Sequence, residues 1–142
     1  MNQRFLWTEP IPRLLFGLLL FLSAAVQAGE IRLDDGGTLT VTETSYNRYL
    51  PHSFYDQAMA SLPRLYPDYE LLAGRRFGRV GAVIYSLICY RESPSSDKVV
   101  IQAVAVHDER AWNIETLTDK TSYPGALLRV LERINGLPSI TH

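Results

Sequence analysis

The chain has 142 residues, 46% of them hydrophobic and 20% charged, and its formal net charge is −1 at pH 7. This near balance argues against a nucleic-acid partner, because binding to phosphates requires a concentrated positive surface, and it gives no reason to expect adhesion to an anionic membrane. Cys89 is the only cysteine, so the chain forms no internal disulfide and its core must be stable without one.

Residues 1–28 have the order of a secretory signal peptide. A weakly basic start is followed by an unbroken apolar run, Leu14–Leu22, and then by small residues up to Ala28. We expect cleavage after Ala28, which leaves residues 29–142 as the single domain of a periplasmic protein without membrane contact. The lack of paired cysteines favours the bacterial periplasm. A retained anchor helix that spans a thinned membrane is the alternative.

The next predicted elements are a β-hairpin and a helix. Residues 30–33 and 39–44 alternate on either side of a glycine-containing turn, which is typical of a hairpin. Ser53 is placed to cap a helix, and Asp56 three residues later resembles the second half of a capping box. Pro63 is predicted to end this helix. Its apolar face contains Tyr55, Ala58, Met59 and Leu62.

A change to a period of two predicts an antiparallel meander in the second half of the chain. Its predicted strands are residues 69–77, 80–91, 98–107 and 111–118. Gly78 and Arg79 are interpreted as the turn between the first two strands. The second strand is apolar on both faces, so we expect it to be covered on both sides. Short turns between consecutive strands require antiparallel pairing.

The last predicted element is a helix that follows the cap candidates and the proline in Thr121–Pro124. Gly136 is expected to end it in a left-handed conformation, with Pro138 just beyond. The predicted buried stripe consists of Leu127, Leu131 and Ile134.

The order hairpin, helix, meander, helix predicts an α+β fold, in which an antiparallel sheet is flanked by two helices. With Trp112–Thr116 leading into Tyr123–Leu128, this order resembles the PsbP/DcrB-like superfamily over roughly residues 30–137. Members of that superfamily tend to bind other proteins and share no catalytic residue set. The resemblance therefore implies a non-catalytic periplasmic protein-binding domain, such as an immunity or adaptor protein for a secreted type VI effector.

Catalytic and metal-binding patterns do not emerge from the sequence. The histidines, His52, His107 and His142, are far apart, and His107 stands beside two acidic residues where a hairpin turn favours polar residues anyway. Cys89 lies in an apolar run and is expected to be a buried, inert thiol. We expect no catalysis, no metal and no cofactor.

Basic and aromatic residues between positions 46 and 79 are the candidates for partner binding. Tyrosine and arginine anchor many protein interfaces, although several of these aromatics could instead pack between helix and sheet. The arginines of residues 75–79 are interpreted as a hairpin tip, either solvated or docked on an acidic partner surface. The candidate residues are Arg48, Tyr49, His52, Tyr66, Arg75, Arg76 and Arg79.

A carrier of a lipid or small ligand is the alternative function. It predicts a pocket of ~300 Å³ or more between sheet and helix. The predicted lining includes Tyr85, Leu87 and Ile101.

Overall fold

The computed structural model describes the backbone of residues 27–32 and all of residues 38–139. The predicted signal peptide lies outside the described residues, except that Gln27 and Ala28 begin the first strand. The strands are β1 (Gln27–Arg32), β2 (Thr38–Thr44), β3 (Glu70–Val80), β4 (Val83–Arg91), β5 (Lys98–His107) and β6 (Arg110–Asp119). The helices are α1 (Leu50–Leu65), α2 (Tyr123–Gly136) and a short 3₁₀ helix, Leu137–Ser139.

The strands form one antiparallel sheet in the order β1-β2-β6-β5-β4-β3. The opening hairpin joins the meander where β2 pairs with β6, with Val41 opposite Ile114. The predicted α+β class, with an antiparallel sheet and two helices, is confirmed. No helix among the described residues is long and apolar enough to cross a membrane.

The two helices cover opposite faces of the sheet. Because side chains alternate along a strand, Tyr85 and Leu87 of β4 pack on the α2 side, while Ile88 and Tyr90 pack on the α1 side. The prediction that this strand is covered on both faces is confirmed. α1 packs mainly on β3, β4 and β5, near one edge of the sheet.

The buried stripe of α2 differs from the predicted one. Ala126, Val130 and Ile134, spaced four residues apart, are the buried residues of the helix. Leu131 is only partly buried at the margin of this stripe. Leu128 is 59% exposed and points away from the sheet.

α1 begins earlier and ends later than predicted. Its first residue is Leu50, Pro51 lies in the first turn, and the Asn47 side-chain oxygen accepts a hydrogen bond from the Tyr49 backbone N–H at 2.9 Å. Ser53 is therefore inside the helix, so its prediction as the cap is wrong. Asp56 bonds to a strand residue and does not complete a capping box. Pro63, predicted to end the helix, lies within its last turn.

The turn between β3 and β4 is at Gly81 and Ala82, so the prediction of a turn at Gly78 and Arg79 is wrong. Gly81 has a φ of +60°, the left-handed conformation that this turn requires. Gly78 instead lies in β3, where a Cβ atom would be only 2.5 Å from the Tyr85 ring. Residues 75–79 are therefore part of a strand and do not form a hairpin tip.

The other predicted hairpin of the meander is confirmed, and the predicted end of α2 is not. Asp108 and Glu109 have φ values of 51° and 65° in the tight turn between β5 and β6. Gly136 is the last residue of α2, but the chain continues through right-handed Leu137 into the 3₁₀ helix. The expected left-handed stop does not form, because the 3₁₀ turn places Leu137 in the core.

Candidate functional site

The structure brings most of the predicted partner-binding residues together at the N-terminal end of α1. Arg48 and Tyr49 precede the helix, His52 lies in its first turn, and Arg76 reaches it from β3. Arg75 and Arg79 lie on the same strand as Arg76. Tyr66 does not belong to this group, because the 16-residue helix places it about 24 Å away at the other end.

The start and one face of α1 and two residues of β3 form a continuous surface that is exposed except at the half-buried His52. Residues 49, 52 and 56 are three and four positions apart, so they share a helix face. The His52 and Phe77 rings are 5.3 Å apart between centroids, tilted by 48°. Tyr49 is 56% exposed and Phe77 is 50% exposed. We call this surface the α1–β3 patch: Arg48, Tyr49, His52, Asp56, Arg76 and Phe77.

A β-bulge explains how two consecutive residues of β3 reach α1. Neighbouring residues in a regular strand point to opposite faces of the sheet. The register of β3 with β4 shifts between Arg75 and Gly78. The intervening residues, Arg76 and Phe77, both contact α1 residues. An irregularity in this edge strand therefore supplies two of the six patch residues.

One bidentate ion pair fixes two of the three charged side chains of the patch. Arg76 donates two hydrogen bonds to the Asp56 carboxylate, at 2.9 and 3.1 Å. The hydrogen bond lowers the pKa of Asp56 and raises that of Arg76. The Arg48 guanidinium lies 4.8 Å from the centroid of the Tyr49 ring and donates a hydrogen bond to its hydroxyl. Arg48 is thus held on an aromatic ring, and Arg76 is held by a carboxylate.

Two further arginines of β3 carry free positive charge. Arg75 and Arg79 are exposed, and neither has an ion-pair partner among the described residues. Arg79 pairs with Ile84 on the α1 side of the sheet, so its charge lies beside the patch, whereas Arg75 pairs with Leu87 and is on the α2 side. Charged residues and a bulge also protect an edge strand from pairing with another chain.

A second candidate site lies on the α1 face of the sheet and was not predicted. Gln102 of β5 is directly opposite Glu115 of β6. On its other side Gln102 is opposite Ile88 of β4, and Ser86 and Tyr90 lie two residues before and after Ile88, on the same face. Asn113 is the diagonal neighbour on β6. We call Ser86, Tyr90, Gln102, Asn113 and Glu115 the Gln102 cluster.

Each side chain of the Gln102 cluster has a buried polar atom without a hydrogen bond to any described residue. These atoms are Ser86 Oγ, Tyr90 Oη, Gln102 Nε2 and Oε1, Asn113 Oδ1 and Glu115 Oε2. Ser86, Tyr90 and Gln102 are fully buried. Buried polar groups in folded proteins are nearly always paired, if necessary with water or a ligand, so such a concentration is unusual.

Burial also governs the ionisation of this cluster. It raises the pKa of Glu115 from its usual 4.5 to about 7. It raises the pKa of Tyr90 as well, and nearby Tyr66, Glu92 and Glu115 add to the shift. The Tyr66 ring lies 6.1 Å from that of Tyr90, so Tyr66 belongs beside this cluster.

Two isolated polar residues were the available signal for this cluster. Ser86 interrupts the apolar run of β4, and Gln102 interrupts Val99–Val106. A polar residue in the middle of a strand that is buried on both faces requires a partner. Its neighbours could not be identified from sequence, because they depend on the strand order and register.

Cys89 and His107, the other side chains considered for chemistry, have surroundings typical of residues that support the fold. Cys89 is fully buried as predicted, and burial raises the pKa of its thiol to about 12. His107 Nδ1 lies 3.2 Å from the Ala82 carbonyl oxygen, between two hairpin ends. Within the described part of the chain, no group of three or more His, Cys, Asp or Glu side chains could hold a metal ion.

The residues predicted to line a carrier pocket are in the core against α2. Tyr85, Leu87 and Ile101 are all buried in that layer.

No protein-family model matches this chain, and no curated protein matches it. The superfamily resemblance therefore depends on the order of elements and stays a prediction.

Proposed function

We propose that this protein is a non-catalytic protein-binding domain of the bacterial periplasm that contacts its partner through the α1–β3 patch. The supporting observation is the exposure of Tyr49 and Phe77 beside Arg48 and Arg76 on one continuous surface. Exposed aromatic rings next to arginine are the combination that dominates the energy of protein interfaces.

The patch is organised before any partner arrives. The bidentate bond from Arg76 to Asp56 and the ring contact between His52 and Phe77 restrict the side chains of both elements. A surface that is already ordered loses less conformational entropy on binding, so its contacts contribute more to affinity.

The charge of this surface favours an acidic partner. Arg79 lies beside the patch with no carboxylate paired to it in the described residues, whereas Arg76 is neutralised by Asp56. Unpaired positive charges accelerate association with a negative surface and make it dependent on salt. The predicted signal peptide and the PsbP/DcrB-like resemblance favour a secreted effector as the partner, with this chain as its immunity or adaptor protein.

Capture of a partner from periplasmic extract by the immobilised protein tests this function. We expect one stoichiometric partner, whose capture falls at least about tenfold when Tyr49 and Phe77 are both replaced by alanine. The matched control is Leu128→Ala, which removes a side chain of similar exposure from the opposite side of the molecule.

All three proteins should have the same melting temperature, since the replaced side chains are exposed. Capture should also weaken as the salt concentration rises. Equal capture by the wild type and the double variant would contradict the proposal.

A further inference from the structure

The Gln102 cluster concentrates unpaired hydrogen-bonding groups on one interior face of the sheet. Gln102 of β5 is directly opposite Glu115 of the neighbouring strand, β6. The Cβ atoms of opposite residues on neighbouring strands are only ~5 Å apart. Their polar ends could therefore reach each other, yet Gln102 Nε2 and Oε1 and Glu115 Oε2 have no partner among the described residues. Within the described residues, these atoms bond neither to each other nor to any other group.

The hydrogen-bonding capacity of the cluster is mixed. The Gln102 amide nitrogen donates, the Gln102 and Asn113 amide oxygens accept, and the hydroxyls of Ser86 and Tyr90 do either. A partner that satisfies them needs donors and acceptors of its own.

The surroundings of the cluster disfavour an ionic partner. The other residues of the sheet that adjoin Gln102 on this face are all apolar: Ile88, Val100, Val104 and Leu117. The cation of β5 on this face, Lys98, is four residues from Gln102, or ~13 Å along the strand. An anion would therefore be buried without a counter-charge. A cation would find Glu115, whose burial favours the uncharged carboxylic acid, and Glu92, which is near the Tyr90 end of the cluster.

We propose that the Gln102 cluster is a binding site for a small uncharged molecule that carries both hydroxyl or amide donors and oxygen acceptors. Such a ligand would bond to Gln102, Ser86 and Asn113 together, which restores the hydrogen bonds that these groups lose on burial. The site shares no residue with the α1–β3 patch.

The position of α1 indicates where the ligand enters. The helix packs on β3, β4 and β5, whereas Asn113 and Glu115 belong to β6, beyond the strands that the helix mainly covers. Glu115 is also less buried than Gln102 and Ser86. The β6 side is therefore the expected entrance.

Titration of the full chain by NMR tests the proposal, with the side-chain amide signal of Gln102 as the readout. The probes are glycerol, glucose and N-acetylglucosamine, which are uncharged, and acetate and methylammonium as charged comparators. We expect a saturable shift from at least one uncharged probe and none from the two ions. Ser86→Ala should weaken the binding of that probe about tenfold, since it removes one hydroxyl without changing the shape of the strand.

Gln57→Ala, on the exposed side of α1, is the matched control and should bind the probe like the wild type. The absence of a saturable shift from every uncharged probe would overturn the proposal. Equal response to the ions, or unchanged binding in Ser86→Ala, would overturn it too. Tyr49→Ala should leave probe binding intact, so a failure here is separable from a failure of the partner-binding function.

Discussion

Replacing Glu115 by glutamine should remove a pH dependence from the stability of the folded protein. Burial raises the pKa of Glu115 from 4.5 to about 7, so the folded chain holds a proton on this group that the unfolded chain releases. Between these two values the unfolded state binds fewer protons, and the free energy of unfolding falls as the pH rises. Each pKa unit corresponds to ~1.4 kcal/mol, so the full loss is about 3 kcal/mol once the pH exceeds 7.

Glutamine has nearly the same shape and stays uncharged, so Glu115→Gln should lack this loss. Urea unfolding of both proteins at several values between pH ~4 and ~8 measures the difference. We expect similar stability at the acidic end and a more stable variant at the alkaline end. Glu109→Gln, at an exposed turn position, is the control and should follow the wild type. Parallel curves for wild type and Glu115→Gln would refute the assigned burial of this carboxyl group.

Two further substitutions test the packing of the core. Ile134→Ala should lower the free energy of unfolding by about 2–5 kcal/mol, because Ile134 is fully buried against the sheet, whereas Leu128→Ala should have little effect. Gly78→Ala should cost about 1–3 kcal/mol, because the new Cβ would meet the Tyr85 ring at 2.5 Å. Gly125→Ala is its control, since that Cβ meets no atom within 4 Å. Chemical denaturation measures all four, and a neutral Ile134→Ala or Gly78→Ala would contradict the described packing.

Local patterns were sufficient to predict most elements of the fold. Alternation of apolar residues identified every strand of the meander, and the polar residues Asp108 and Glu109 identified a tight turn that the structure confirms. The turn before β4 was misplaced because Gly78 and Gly81 both fit a turn by sequence. The choice between them depends on Tyr85, which is opposite Gly78 on the neighbouring strand, β4. Its ring occupies the space that a side chain at position 78 would need.

Predictions at the helix ends failed for a related reason. Ser53 and Asp56 have the spacing of a capping box, but Pro51 suits the first turn of a helix equally well. Contact with the sheet extends the helix back to Leu50, which is buried. Tertiary packing thus decided between two starts that the sequence permits.

The candidate sites were predicted only where they are local in sequence. Arg48, Tyr49 and His52 are close along the chain, so their grouping could be expected. The contribution of Phe77 depends on a bulge in β3, and Tyr66 was grouped with them although the length of α1 separates it. The Gln102 cluster combines three strands, so only strand order and register reveal it.

Site-specific photocrosslinking in living cells tests the central claim most directly. A photoreactive phenylalanine analogue would replace Phe77 in the α1–β3 patch or, as the control, Leu128 on α2; both side chains are at least half exposed. The proposed function predicts a covalent adduct of one defined mass from position 77 and none from position 128. No adduct from position 77, or the same adducts from both positions, would contradict it.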